Sequence, residues 1–93
     1  MRTITKKSST KPERIFIEIL KKNHIPFDYS VIVDGKEIDF IIKGYAIEID
    51  GHKQSQEKNQ WLFEQGFVPV HYTNHALLKN RSGVEQDITS KVL

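Results

Sequence analysis

The sequence has no cysteine, a single methionine and only three prolines among its 93 residues. Without thiols there can be no disulfide scaffold, no zinc–thiolate centre and no cysteine nucleophile. No apolar run approaches the roughly 18 residues that a membrane helix needs, and no secretory-leader pattern is present, so a cytoplasmic protein without a membrane partner is expected. Repeats and low-complexity segments are also absent. What remains is an ordinary soluble composition, 38% hydrophobic and 28% charged. A chain of this length fits one domain with one modest core, burying roughly 60–65% of its unfolded surface.

Net charge is only +2, but it is unevenly spread. Residues 1–24 carry seven cations (Arg2, Lys6, Lys7, Lys11, Arg14, Lys21, Lys22) against Glu13 and Glu18; the rest carries seven cations against ten acids. A basic end beside an acidic remainder suits a polyanion contact at one end and a cation site elsewhere; a solvated tail is the plainer account of Arg2 to Lys7. Residues 1–9 read as a flexible basic segment and 10–93 as the single domain.

Thr10 to Glu13 form a T-x-x-E capping box with Pro12 in the first turn, and Ile15, Phe16, Ile19 and Leu20 follow as an apolar helical stripe that Pro26 stops. Three strands are expected at 27–33, 36–42 and 45–50, joined by Asp34-Gly35 and Lys43-Gly44 turns. A helix at 55–65 ends at Gly66, and a strand at 67–72 carries Pro69, which marks an edge or bulge. Residues 74–79 suit a helical turn. Ser82 and Glu85 form a second capping box before Val84, Ile88 and Val92 at helical spacing. The order is α-β-β-β-α-β-α.

Strand alternation puts Ile38, Phe40 and Ile42 on one face with Tyr45, Ile47 and Ile49, an apolar set that must be core. Glu37, Asp39, Ile41, Ala46, Glu48 and Asp50 lie opposite. If Lys43-Gly44 is a two-residue turn, Ile42 pairs with Tyr45, Asp39 with Glu48 and Glu37 with Asp50. Directly opposed side chains stand about 4.5–5.5 Å apart, where like charges repel. Protonation relieves such a patch, and so does a bound cation. Magnesium suits it, because it takes one or two carboxylates plus waters and phosphate oxygens. The plain alternative is a wet face of an antiparallel sheet with its acids in water.

Taken together, these residues resemble the PD-(D/E)XK nuclease superfamily, especially its very-short-patch-repair and EDxHD homing endonuclease branches. The resemblance rests on Lys11-Pro12-Glu13 opening the first helix, Gly35-x-x-Ile38-Asp39-Phe40, Ile47-Glu48-Ile49-Asp50-Gly51, and Leu62-x3-Gly66-Phe67 before an apolar strand. It covers about residues 10 to 75. It implies a restriction-endonuclease-like αβββαβ core, a mixed α/β fold whose four-stranded mixed sheet is flanked by helices, with an extra C-terminal helix. It also implies Mg2+- or Mn2+-dependent hydrolysis of phosphodiester bonds in double-stranded DNA. A bacterial or phage-encoded protein, with a fused DNA-recognition domain or a homodimer to extend its reach, fits that picture.

By the same resemblance Asp39 is the central metal ligand, Glu48 or the backbone carbonyl of Ile49 the second, and Glu13 holds a water at the site from the first helix. Glu13 is equally accounted for by its capping box. The superfamily often has lysine two residues after the third-strand glutamate; here that position is Asp50, itself a catalytic candidate beside Glu48. His52 or Lys53 can stand in for the missing lysine, and histidine suits general acid–base work. Where relatives carry Arg-Asp on the second helix, this chain has Lys58-Asn59: Lys58 keeps a charge for phosphate, but Asn59 cannot supply a negative one. Lys11, Arg14, Lys53 and Lys58 are the expected phosphate contacts, which position a protein on DNA without reading sequence. Trp61, Leu62 and Phe63 are expected to pack the second helix rather than to stack bases. His71 is expected to be structural, and His24 and His75 to be loop or cap residues. The rival reading is a nuclease-fold DNA-binding module that no longer cuts; a partner-binding domain with an acidic docking patch is a third.

Overall fold

The computed structural model describes residues 10–49 and 56–93 in full and residues 3, 4 and 50 as backbone. The elements follow in the order β1 (Thr3–Ile4), α1 (Lys11–Lys22), β2 (Asp28–Val33), β3 (Lys36–Ile42), β4 (Tyr45–Asp50), α2 (Gln56–Glu64), β5 (Val68–Thr73), α3 (Asn74–Lys79) and α4 (Arg81–Val92). The expected mixed α/β architecture is present. The four expected strands, β2 to β5, lie side by side in chain order, and the short β1 extends the sheet beyond β2.

Local chemistry accounts for most of the boundaries. The Thr10 hydroxyl accepts the Glu13 N–H, and the Glu13 carboxylate accepts the Thr10 N–H at 3.0 Å, so two orphan donors of the first turn are satisfied reciprocally. Asp34 and Gly35 both adopt positive φ, 50° and 77°, as a type I′ hairpin turn requires. Lys43 and Gly44 form a second two-residue turn, in which Lys43 alone adopts positive φ, 54°, and Ile42 pairs with Tyr45 as expected. β4 and β5 run parallel, which demands a crossover, and α2 supplies it. Pro69 is tolerated because β5 is the outer strand of the sheet.

Two apolar layers flank the sheet. On one face Phe16, Ile19 and Leu20 of α1 pack with Phe40, Ile42, Ile47, Ile49, Tyr72, Leu77, Val84, Ile88 and Val92. Phe16 meets Phe40 edge-on, with ring centroids 5.0 Å apart. On the other face Leu62 of α2 packs with Ile38 and Ala46.

That second cluster corrects the expected face of Ile38. Phe40 and Ile42 face α1, but Ile38 faces α2. β2 changes face in the same way: Tyr29 packs on the α1 side and Val33 on the α2 side. The register is unbroken across the change, from Tyr29↔Phe40 to Val31↔Ile38. Between those pairs lies Ser30, fully buried with φ of 56°. A left-handed residue in mid-strand ends the two-residue alternation, so both strands turn over together at Ser30 and Asp39.

Two further expectations change. α4 begins at Arg81 with Asn80 as its cap residue, so Ser82 lies inside the first turn and makes no capping box. Glu85 instead accepts from Asn23 at 2.9 Å and pairs with Lys22 at 3.2 Å, which ties α4 to the end of α1 and holds the Glu85 carboxyl below its ordinary range. Phe63 does not pack the second helix; it is 65% exposed.

α4 is also fastened to the sheet by Tyr72, whose hydroxyl donates to Asp87 at 2.5 Å. This bond, with Lys91 behind it, holds the Asp87 carboxyl below its ordinary value, while burial and then Asp87 push the Tyr72 phenol up. A depressed carboxyl stabilises the fold above its unfolded value and loses that contribution as pH falls through the folded one. Stability is therefore expected to decline below about pH 4. Asp87→Asn should flatten that acid limb in thermal melts recorded from pH 6 down to pH 2; an unchanged limb would exclude Asp87 as its source.

Candidate active site

The turnover at Ser30 and Asp39 sets the site. The paired register of β3 and β4 runs Ile42↔Tyr45, Ile41↔Ala46 and Phe40↔Ile47, and beyond it come Asp39 and Glu48. There the strands are joined by side chains. The Asp39 N–H donates to Glu48 Oε2 at 3.0 Å, and the Ile49 N–H donates to Asp39 Oδ2 at 2.9 Å. Each carboxylate thus accepts a main-chain bond from the opposite strand, which fixes both in place. Asp39 is 9% exposed. A buried carboxylate is tolerable when hydrogen bonds replace its lost hydration, and these bonds do so in part.

Lys58 completes the group. From the first turns of α2 its ammonium donates to Glu48 Oε1 at 2.5 Å and to the main-chain carbonyl of Glu37 at 2.7 Å. Its side chain is 32% exposed, and that of Glu48 is 13% exposed. The repulsion expected between facing acids is therefore relieved by two peptide N–H groups and one ammonium. Over Asp39, Glu48 and Lys58 the formal charge is −1.

Glu37 is not part of an open carboxylate patch, because its Oε2 accepts the Ser30 hydroxyl at 2.6 Å. Beside it, Lys36, Glu37, Glu57 and Lys58 line a cleft of about 330 Å³. Lys36 lies over the Trp61 ring, 4.9 Å from its centroid, and Leu62 is fully buried. Trp61 and Leu62 thus pack as expected.

Glu13 is buried and holds its capping bonds, and the Tyr29 hydroxyl donates to it at 3.3 Å. Among the described residues no three His, Asp or Glu side chains gather as a metal-holding group. Lys11 and Arg14 are exposed on α1, in the layer across the sheet from Lys58. Asn59 follows Lys58 on α2 and is half-buried. His52, Lys53 and the side chain of Asp50 lie outside the described residues.

His71 comes closer to the site than its sequence position suggests, since it is the register partner of Glu48 on β5 and is half-buried. It is separated from His75 by the β5–α3 junction, so the two do not share a helical face despite their spacing. Ser30 and Lys36 were not foreseeable: a serine within an apolar strand and a lysine after a hairpin turn carry no local signal. Only the turnover of β2 and the position of α2 give them roles.

No protein-family model and no curated protein matches the chain. A solved structure does, the homing endonuclease I-Bth0305I catalytic domain, with a TM-score of 0.72 and 26% identity over 87% of this chain and 92% of that one. The likeness spans nearly the whole domain, and the chain has a nuclease fold. No described helix is long and apolar enough to cross a membrane.

Proposed function

We propose that the chain is a metal-dependent DNA endonuclease domain of the PD-(D/E)XK type, close to the very-short-patch-repair and EDxHD homing branches. The observation that carries this reading is the locked pair of carboxylates, Asp39 and Glu48, on a fold similar to a homing endonuclease catalytic domain. The donor set fits magnesium or manganese. Both carboxylates are hard oxygen ligands held by main-chain bonds, and one or two carboxylates suffice for Mg2+ when phosphate and water complete its shell. Asp39, Glu48 and the main-chain carbonyl of Ile49 would hold the ion. When bound, such an ion polarises a phosphoryl oxygen and lowers the pKa of water.

The chain's own residues have separable tasks in this reading. Asp39 and Glu48 fix the site relative to β3 and β4. Lys58 provides positive charge at the mouth of the cleft, where the superfamily's third-strand lysine is missing. Lys36, beside it, extends that charge for a DNA backbone. Asp50, His52 and Lys53 follow Glu48 directly and are the candidates to move the proton from water; His71 approaches the same pair from β5. Glu13 is assigned to the cap of α1, with Lys11 and Arg14 as outlying phosphate contacts.

The test is conversion of supercoiled plasmid by the purified chain. Nicked or linear product is expected with Mg2+ or Mn2+, and none with excess EDTA. Folded protein that shifts DNA in a gel but leaves it intact in every metal would establish the non-cutting DNA-binding module instead. Neither binding nor cutting would remove DNA from the reading altogether.

A further inference from the structure

Lys58 occupies an oxygen that a metal site needs. We infer that its ammonium is a built-in counter-ion that competes with the divalent cation for Glu48, so that the metal must displace it. The inference rests on the metal-site reading above.

The geometry separates holding Glu48 from neutralising it. Glu48 Oε2 is held by the Asp39 N–H, a main-chain donor that remains whatever Lys58 does. Glu48 Oε1 is held by Lys58. The lysine is therefore not the sole support of the carboxylate's orientation. Its contribution is a unit of positive charge, which the Glu37 carbonyl also helps to anchor. With no divalent ion, that charge offsets the mutual repulsion of Asp39 and Glu48. A doubly charged ion meets the same ammonium as a like charge, in a partly buried place where screening by water is weak.

Two roles for Lys58 thus predict opposite signs. A residue that merely orients a ligand weakens metal binding when removed. A competing counter-ion strengthens it. Removing a unit charge at hydrogen-bonding distance from a ligand atom is expected to tighten binding by about tenfold or more.

The experiment is calorimetric titration of the whole chain with MnCl2, without DNA, for wild type, Lys58→Gln, Lys58→Arg and Asp39→Asn. Glutamine can still donate to the Glu37 carbonyl, so Lys58→Gln removes the charge and keeps a main-chain anchor. Tighter binding by Lys58→Gln, near-wild-type binding by Lys58→Arg and loss of binding in Asp39→Asn are expected. Binding by wild type that Lys58→Gln leaves unchanged or weakens overturns the inference while leaving the metal site standing. Absence of binding in all four proteins overturns the metal reading itself, and the inference with it. A second measurement needs no variant. Reductive methylation of wild-type protein, read by mass spectrometry, should find Lys58 protected without metal and reactive in saturating Mn2+; reactivity that does not change across a saturating titration also overturns the displacement.

Discussion

Asp39→Asn is expected to fold like the parent and to lose plasmid cleavage by at least about a hundredfold. Asparagine is the informative replacement because it has the shape of aspartate. Its carbonyl oxygen can still accept the Ile49 N–H, so the tie between β3 and β4 survives. What disappears is the negative charge that a hard cation requires. Alanine would confuse the two effects. It would remove the side-chain acceptor of a buried main-chain N–H, a loss of about 1–3 kcal/mol, and inactivity would then have a structural explanation. The measurement pairs a nicking time course with a thermal melt of the same preparation. Cleavage within a few-fold of wild type by a folded Asp39→Asn protein would show that the cation is held elsewhere. The variant would also expose contamination by a host nuclease, since such activity would be indifferent to the substitution.

Counting outward from Lys43-Gly44 was enough to bring Asp39 and Glu48 together, because a two-residue turn fixes register and register fixes which side chains meet. The same kind of local rule places α1 at its capping box and the β2–β3 turn at Asp34-Gly35, and of the edge or bulge that Pro69 allows, β5 takes the edge. What local rules missed depends on a residue breaking its own pattern or on elements meeting in space. Strand alternation alone puts Ile38 on the face of Phe40; the interruption at Asp39 comes from the φ of Ser30 on the neighbouring strand. Glu85 was assigned to a cap because of its spacing from Ser82, yet it bonds to Asn23 and Lys22 across more than sixty positions of chain. In the sequence Lys58 stands out by its charge at the place where the resembled family carries Arg-Asp. Its grip on Glu48 depends on how α2 lies on the sheet, where Leu62 packs against Ile38 and Ala46. Register thus brings the two carboxylates together, whereas packing gives Lys58 its partner.

Ser30→Val is expected to destabilise the domain by about 3–5 kcal/mol, a value built from three costs. Serine already bears the roughly 1–2 kcal/mol that a left-handed backbone costs an L-residue, so valine adds only the further crowding of its branched Cβ. The site is fully buried, so the added methyl groups must displace neighbours, at about 1–3 kcal/mol. The hydroxyl that donates to Glu37 is lost as well. Ser30→Gly separates these terms: it removes the same hydroxyl but fits positive φ without a Cβ, so its stability should stay within about 1 kcal/mol of wild type. Urea unfolding of the three proteins measures the difference. A valine variant as stable as the glycine one would show that position 30 is not held left-handed, and the turnover of β2 and β3 would lose its cause. The consequence reaches the site because the pairs on either side of Ser30 flank Asp39. Restoring regular alternation there would send Ile38 back toward α1 and swing Asp39 away from the Ile49 N–H. Any Ser30→Val protein that folds should therefore lose metal affinity along with stability, while Ser30→Gly keeps both.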